Sequence, residues 1–362
     1  LAETGPFRFE AARDNGLAIS DRLRFDDALQ RFVPVADNGA PGLAYLFTGD
    51  VDNDALLDVI AVDASDASFT PKPTDVGGRF WRNRGDFRFE EATEAAGLAS
   101  LNHSYEQWYA FFDNEVPDAL TRAVDLQRMR MAQRFERGVT QPGLPKQRPI
   151  DLRPYHADVL FADVDNDTHL DVVVLDRREP RLLEVRAILY RNRGDGRFEP
   201  LPTTVSGLDA GGIAGEAIDL DNDGLVDLIF SGDPDNSGKV TDPSRYEDKV
   251  YRNTGLHGAR ENHWLRLRFA GVPHGELLGT RIEIRAAGSD RLLGSRVVAS
   301  NHSYKSSSAP EAHFGLGDHE VVDLRIVQLG GRETRIDGVT GDRYLACDLA
   351  AGTLAPVVIA AE

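Results

Sequence analysis

One nine-residue segment occurs three times in this 362-residue chain. The copies are Asp50-Val-Asp-Asn-Asp-Ala-Leu-Leu-Asp58, Asp163-Val-Asp-Asn-Asp-Thr-His-Leu-Asp171 and Asp219-Leu-Asp-Asn-Asp-Gly-Leu-Val-Asp227. A short apolar stretch precedes each copy: Leu43 to Phe47, Val159 to Ala162 and Ile213 to Ile218. A β-branched or apolar run follows each: Val59 to Val62, Val172 to Leu175 and Leu228 to Phe230. Apolar runs this short, on either side of polar turn residues, predict strand, tight loop, strand.

A second element follows each loop, as Phe80-Trp-Arg-Asn-Arg-Gly-Asp86, Leu189-Tyr-Arg-Asn-Arg-Gly-Asp195 and Val250-Tyr-Arg-Asn-Thr-Gly255. The first two run on through Phe87-Arg-Phe-Glu90 and Gly196-Arg-Phe-Glu199 to Gly97-Leu98 and Gly207-Leu208. The repeat is therefore a four-stranded unit, and a chain of such units predicts a β-propeller. The loops begin at residues 50, 163 and 219. The first gap is about twice the second, so one unit between the first two loops has lost its motif or been replaced. The opening Phe7-Arg-Phe-Glu10 to Gly16-Leu17 is the same tail without its front. This suggests that the first strand completes the last blade.

Residues 99–155 break the pattern. Asp118 to Arg137 has a helical composition, with Leu120, Val124, Met131 and Phe135 on one face. Pro117 suits the start of this helix and Gly138 its end. The segment is expected to be a partly helical insertion or degenerate blade, either a packing flap or a docking site. Its aromatic run, Tyr105, Trp108, Tyr109, Phe111 and Phe112, reads first as core. From Asn262 the texture changes to alternating strands at Trp264–Phe269 and Arg281–Arg285, with further strands at Val321–Val327 and Tyr344–Leu349. His313-Phe-Gly-Leu-Gly317 is expected to be a turn. The organisation expected is a propeller over 1–261, a second all-β unit over 262–350 and a tail over 351–362.

The Asp loops followed by Tyr-Arg-Asn-x-Gly-Asp-Gly-x-Phe are similar to FG-GAP/VCBS propeller repeats. Asn262-His-Trp-Leu-Arg-Leu267, Gly279-Thr-Arg-Ile282, Ser303-Tyr304 and His313-Phe-Gly-Leu-Gly317 resemble the ASPIC/UnbV domain. The pairing resembles the architecture of the cartilage acidic protein family and of many exported bacterial proteins. The resemblance implies an all-β propeller with a C-terminal all-β unit, calcium in the Asp loops and a secreted or periplasmic location.

The loop chemistry leads to the same metal. Carboxylates at loop positions 1, 3, 5 and 9, with a backbone carbonyl at position 7, make an oxygen shell of the kind calcium takes. The candidate ligands are Asp50, Asp52, Asp54, Leu56 and Asp58; Asp163, Asp165, Asp167, His169 and Asp171; and Asp219, Asp221, Asp223, Leu225 and Asp227. About three calcium ions are expected. Leu56, His169 and Leu225 would act through their carbonyls, and the His169 ring is expected to point away. No histidine or cysteine joins the aspartates in a repeated way, which disfavours zinc. Position 6 is Gly224 in the third loop but Ala55 and Thr168 in the others. Those two loops should therefore either bind more weakly or turn differently.

The formal net charge of −18 argues against a nucleic-acid partner. No apolar run is long enough to span a bilayer, so an integral membrane protein is not expected. Cys347 is the one cysteine, which excludes an internal disulfide, and it reads as a buried small hydrophobe. The start at Leu1 fits a removed leader or a shortened chain. There is no nucleophile elbow, phosphate loop or zinc helix, so no catalytic residue is assigned. Asn-His-Ser-Tyr recurs at 102–105 and 301–304, a coincidence expected of so short a segment; His103, Tyr105 and His302 would mark a pocket only if the copies met. The reading favoured is a calcium-stiffened module for a protein or glycan partner. The alternative is an enzyme of secondary metabolism or the cell envelope, with its site near the insertion.

Overall fold

The structure is a computed structural model and describes residues 23–26, 31–34, 45–62, 78–102, 155–177, 187–232, 248–298 and 310–358. The N-terminal tail at 7–17, nearly all of the 99–155 insertion, and His103, Tyr105 and His302 lie outside the described residues.

An N-terminal hairpin pairs β1 (Leu23–Asp26) with β2 (Arg31–Pro34). The first Asp-loop unit is the meander β3 (Tyr45–Gly49), β4 (Asp58–Val62), β5 (Gly78–Asn83) and β6 (Phe89–Glu91). The second repeats it as β7 (Tyr155–Ala162), β8 (Asp171–Arg177), β9 (Ile188–Asn192) and β10 (Phe198–Leu201). The third is β11 (Ala214–Ile218), β12 (Asp227–Ser231) and β13 (Lys249–Tyr251). In each unit the Asp loop joins the first two strands, as the apolar runs on either side of it require.

The blades stack face to face, and the continuous apolar strands follow from that. In β8, Val172 and Val174 face a core shared with Phe47, Ile60 and Phe80 of the first blade. Val173 and Leu175 face the opposite way, into a core with Val226, Leu228 and Phe230 of the third. A strand buried on both faces has no polar alternation to show. Backbone bonds also cross between blades. The Phe198 amide donates to the Ala96 carbonyl at 2.8 Å. Gly97, with φ 77°, lies so close that a Cβ there would meet the Phe198 carbonyl oxygen at 2.4 Å.

Two C-terminal sheets follow. One has the order β17 (Glu311–Gly317), β14 (His263–Ala270), β20 (Arg343–Asp348), β21 (Thr353–Pro356). The other has β16 (Leu292–Val297), β15 (Arg281–Ala286), β18 (Val321–Val327), β19 (Glu333–Thr340). Their inward side chains, among them Leu265, Leu267, Ile282, Ile284, Phe314, Leu324, Ile326 and Cys347, make one core. The last strand pairing extends past Leu349 through β21. All five large sheets contribute to the walls of one cavity of about 540 Å³. Among the described residues the protein is an all-β, five-bladed propeller, in which three blades carry the Asp loops.

The expected turn at His313–Gly317 is instead part of strand β17. Gly315 serves close packing rather than chain reversal. A Cβ at Gly315 would meet the Asn166 Cα and the Asp163 Oδ2 at 2.3 Å each. Glycine therefore lets β17 lie directly against the second Asp loop.

Candidate metal centres at the three aspartate loops

The three loops are built alike, hydrogen bond for hydrogen bond. The position 1 carboxylate caps the turn. In the first loop Asp50 accepts the Asp54 and Ala55 amides at 3.0 Å each. In the second Asp163 accepts the Asp167 and Thr168 amides at 3.0 Å each. In the third Asp219 accepts the Asp223 and Gly224 amides at 3.2 Å each. The position 5 carboxylates of Asp54, Asp167 and Asp223 accept the amides of Leu56, His169 and Leu225. The position 9 carboxylates of Asp58, Asp171 and Asp227 accept the amides of Val51, Val164 and Leu220. Their second oxygens accept the amides of Asn83, Asn192 and Asn253, from the recurring Arg-Asn element. That second repeat therefore holds the loop closed from one strand away.

The same asparagines tie neighbouring blades together. The Asn192 side-chain amide donates to the Leu170 carbonyl in its own loop at 3.0 Å and to Val51 of the first loop at 2.8 Å. Asn253 does the same with Val226 and with Val164 of the second loop. Running the other way, Asn53 donates to the Thr168 carbonyl and Asn166 to the Gly224 carbonyl. The loops thus form one linked row.

All three loops turn the same way. Position 4 is left-handed at Asn53, Asn166 and Asn222, and position 6 is left-handed at Ala55 (φ 67°), Thr168 (φ 85°) and Gly224 (φ 88°). Of the two sequence expectations for the loops without glycine, a different turn is excluded. Ala55 and Thr168 adopt the glycine conformation at a cost of about 1–2 kcal/mol each. Gly224 has an additional role. A Cβ there would meet the Trp264 Nε1 at 2.1 Å, so it admits that indole from β14 onto the loop.

The sequence-assigned carboxylates converge only in part. Oxygens of Asp50, Asp52 and Asp54 lie within 4.8 Å of one another, as do those of Asp163, Asp165 and Asp171, and those of Asp219, Asp221 and Asp227. Asp58, Asp167 and Asp223 stand outside these closest triplets. Burial raises the carboxylates of Asp50, Asp52, Asp165 and Asp219 above their ordinary range. It pushes Asp58 up to about 7, Asp163 up to about 8, and Asp171 well above the usual value. Two oxygens are left over. Asp52 Oδ1 and Asp165 Oδ1 are buried without a hydrogen-bond partner among the described residues, and Asp165 is fully buried.

The His169 ring does not point away. Its Nδ1 lies 3.1 Å from Asp167 Oδ1, and the ring covers Gly194, where a Cβ would meet it at 2.7 Å. The absence of a side chain at Gly194 makes that position possible. The hydrogen bond to Asp167 raises the imidazole above its ordinary value.

The third loop meets the C-terminal sheets through residues that sequence reasoning passed over. Arg266 donates to the Asp219 carbonyl at 2.7 Å and to Asn222 Oδ1 at 3.0 Å, and pairs with Glu311 at 2.8 Å. His313 Nε2 lies 3.1 Å from the Gly224 carbonyl and stacks on Trp264 with ring centroids 6.1 Å apart. Burial holds its imidazole down at about 3, so the ring is neutral. Asn262 donates to the Asp165 carbonyl at 2.8 Å. The motif Asn262-His-Trp-Leu-Arg266 was visible in the sequence, but its target on the loops was not.

The FG-GAP-like repeat family matches residues 163–230, from the second Asp loop to β12. The ASPIC and UnbV family matches residues 273–353, most of the two C-terminal sheets. The chain carries an FG-GAP-like repeat and an ASPIC and UnbV region. It is homologous to cartilage acidic protein 1 of Xenopus tropicalis (28% identical over 181 residues, 48% of this chain) and of Homo sapiens (26% over 192 residues, 51% of this chain). The Mus musculus protein is 28% identical over 182 residues, 48% of this chain. The matched stretches cover only 25%, 26% and 25% of the frog, human and mouse proteins. Among the described residues no helix is long and apolar enough to cross a membrane.

Proposed function

We propose that this chain is an exported calcium-binding propeller that presents a rigid surface to a protein or glycan partner. The observation that carries the calcium reading is the orphaned Asp165 Oδ1. It is fully buried, unpartnered among the described residues, and part of a carboxylate triplet. A buried carboxylate oxygen without a partner costs about 1–3 kcal/mol, more when charged. An all-oxygen donor set suits calcium and offers zinc none of its preferred nitrogen or sulfur ligands. Hydrogen bonds to the position 1 and position 9 aspartates do not exclude a metal, because each carboxylate oxygen has a second lone pair. The ligands proposed are the aspartates at positions 1, 3, 5 and 9 of each loop, with the carbonyls of Leu56, His169 and Leu225. Bound calcium would supply the charge that lets the buried carboxylates ionise.

The location and interaction role rest on similarity to proteins named for cartilage and on the FG-GAP-like repeat. Calorimetric titration of chelator-treated protein tests the metal. Calcium should bind and the Asp165→Asn variant should lose one site. A wild-type protein that takes up no calcium at millimolar concentration would end the reading.

A further inference from the structure

The three loops share one backbone, yet arginines treat them differently. Each of the three Asp-loop blades carries an arginine at the same place, just before the asparagine that closes the loop: Arg82, Arg191 and Arg252. In the second blade, Arg191 Nε lies 2.6 Å from Asp165 Oδ2 and its Nη2 lies 3.5 Å from Asp167. In the third blade, Arg252 lies 2.5 Å from Asp221 and 3.5 Å from Asp223. Arg260 adds a contact of 3.4 Å to Asp223. Arg266, largely buried, stands 3.8 Å from Asp219 Oδ2 and occupies Asn222 Oδ1. Three guanidinium groups therefore touch the third loop.

The first blade does the reverse. Arg82 turns away from its own loop and donates to the Gly196 carbonyl of the second blade. Gly196 makes this possible, since a Cβ there would meet the Arg82 Nη2 at 2.5 Å. Arg84 is engaged by Glu90 at 2.6 Å. Among the described residues no guanidinium nitrogen lies within ion-pair distance of a first-loop carboxylate. The orphaned oxygens set the third loop, where Arg266 occupies Asn222 Oδ1 and Asp221 is exposed, apart from the other two. Buried acceptors are unpartnered at positions 3 and 4 of the first two loops (Asp52, Asn53, Asp165 and Asn166) and at neither position of the third.

We infer that these arginines set the order of calcium affinity, with the first loop tightest, the second intermediate and the third weakest. This rests on the calcium reading and reverses the order that Gly224 alone would give. A divalent ion entering the third loop must displace Arg252 and Arg260 from its carboxylates and sit close to the buried Arg266 charge. In the first loop it meets carboxylates that no guanidinium among the described residues reaches within ion-pair distance; Arg82 and Arg84 act on Asp52, and the buried Arg296 on Asp50, only from further off. The third loop is accordingly held in shape by the protein's own charges and needs calcium least.

Calcium titration by calorimetry on the full chain tests the order. The expected result is separable phases, with the third-loop site at least tenfold weaker than the first. Asp52→Ala should remove the tightest phase and Asp221→Ala only the weakest. Arg252 and Arg260 are exposed, so Arg252→Gln with Arg260→Gln should leave the fold intact and tighten the weakest phase at least threefold. Arg82→Ala should leave the tightest phase within twofold. Three sites of equal affinity, loss of the tightest phase in Asp221→Ala, or an unmoved weak phase in the double variant would each overturn the inference while leaving calcium binding in place. A wild-type chain that binds no calcium would instead overturn the calcium reading, and the ranking with it.

Discussion

Calcium-free protein should become less stable as the pH rises from about 5 to 7, the opposite of the usual carboxylate behaviour. Burial pushes Asp58 up to about 7 and Asp163 up to about 8, against an ordinary value of 3.8. The folded state therefore holds protons that the unfolded chain has released. A group raised on folding contributes fully below its unfolded value, and that contribution is lost as pH climbs through the folded value. Each such carboxylate costs about 1.4 kcal/mol per pH unit in this window. Two carboxylates over two pH units cost about 5 kcal/mol, comparable to the whole stability of a modest domain. Asp171, also raised well above its ordinary value, acts in the same direction. Bound calcium would reverse the balance, because it would bind the ionised form and gain affinity as the protons leave. The assay is thermal unfolding at pH 5, 6 and 7, in chelator and in millimolar calcium. The melting temperature in chelator should fall across the series, while that in calcium holds or rises. A melting temperature in chelator that is flat or rises with pH would show that burial does not raise Asp58 and Asp163 in the folded protein.

Three substitutions test the packing around the loops. Asn192→Ala removes amide donors from the Val51 and Leu170 carbonyls and should cost about 2–4 kcal/mol in denaturant unfolding, with calcium present or absent. Gly315→Ala should separate β17 from the second loop, and is checked by increased proteolysis of the C-terminal sheets at unchanged far-ultraviolet dichroism. Ala55→Gly should stabilise the protein by about 1 kcal/mol by relieving a left-handed alanine, measured as a shift in urea midpoint.

The three Asp-loop blades were legible because each carries its own local signal. The aspartates mark the turn, the residues on either side mark two strands, and the Arg-Asn element marks a third. The strand His313–Gly317 was misread because glycine in sequence signals a turn. Here Gly315 answers instead to a loop about 150 residues away in the chain, which no local pattern reports. The His169 ring failed for a related reason, since its position depends on the missing side chain at Gly194. The aspartates themselves were assigned by spacing alone. Which arginine neutralises which loop was hidden, because Arg82, Arg191 and Arg252 occupy the same place in the repeat and differ only in their neighbours. Strand β16, bearing Ser295 and Arg296 toward the first two loops, has too little alternation to stand out.

The most direct measurement of calcium in the Asp loops is metal content. Protein equilibrated in millimolar calcium and then freed of unbound metal by rapid desalting should be analysed by mass spectrometry of the elements and by native mass spectrometry. The result expected is calcium bound at up to about three ions per chain, lost in a variant in which Asp52, Asp165 and Asp221 are all replaced by alanine. A chain that retains no calcium, or that retains zinc in its place, would contradict it.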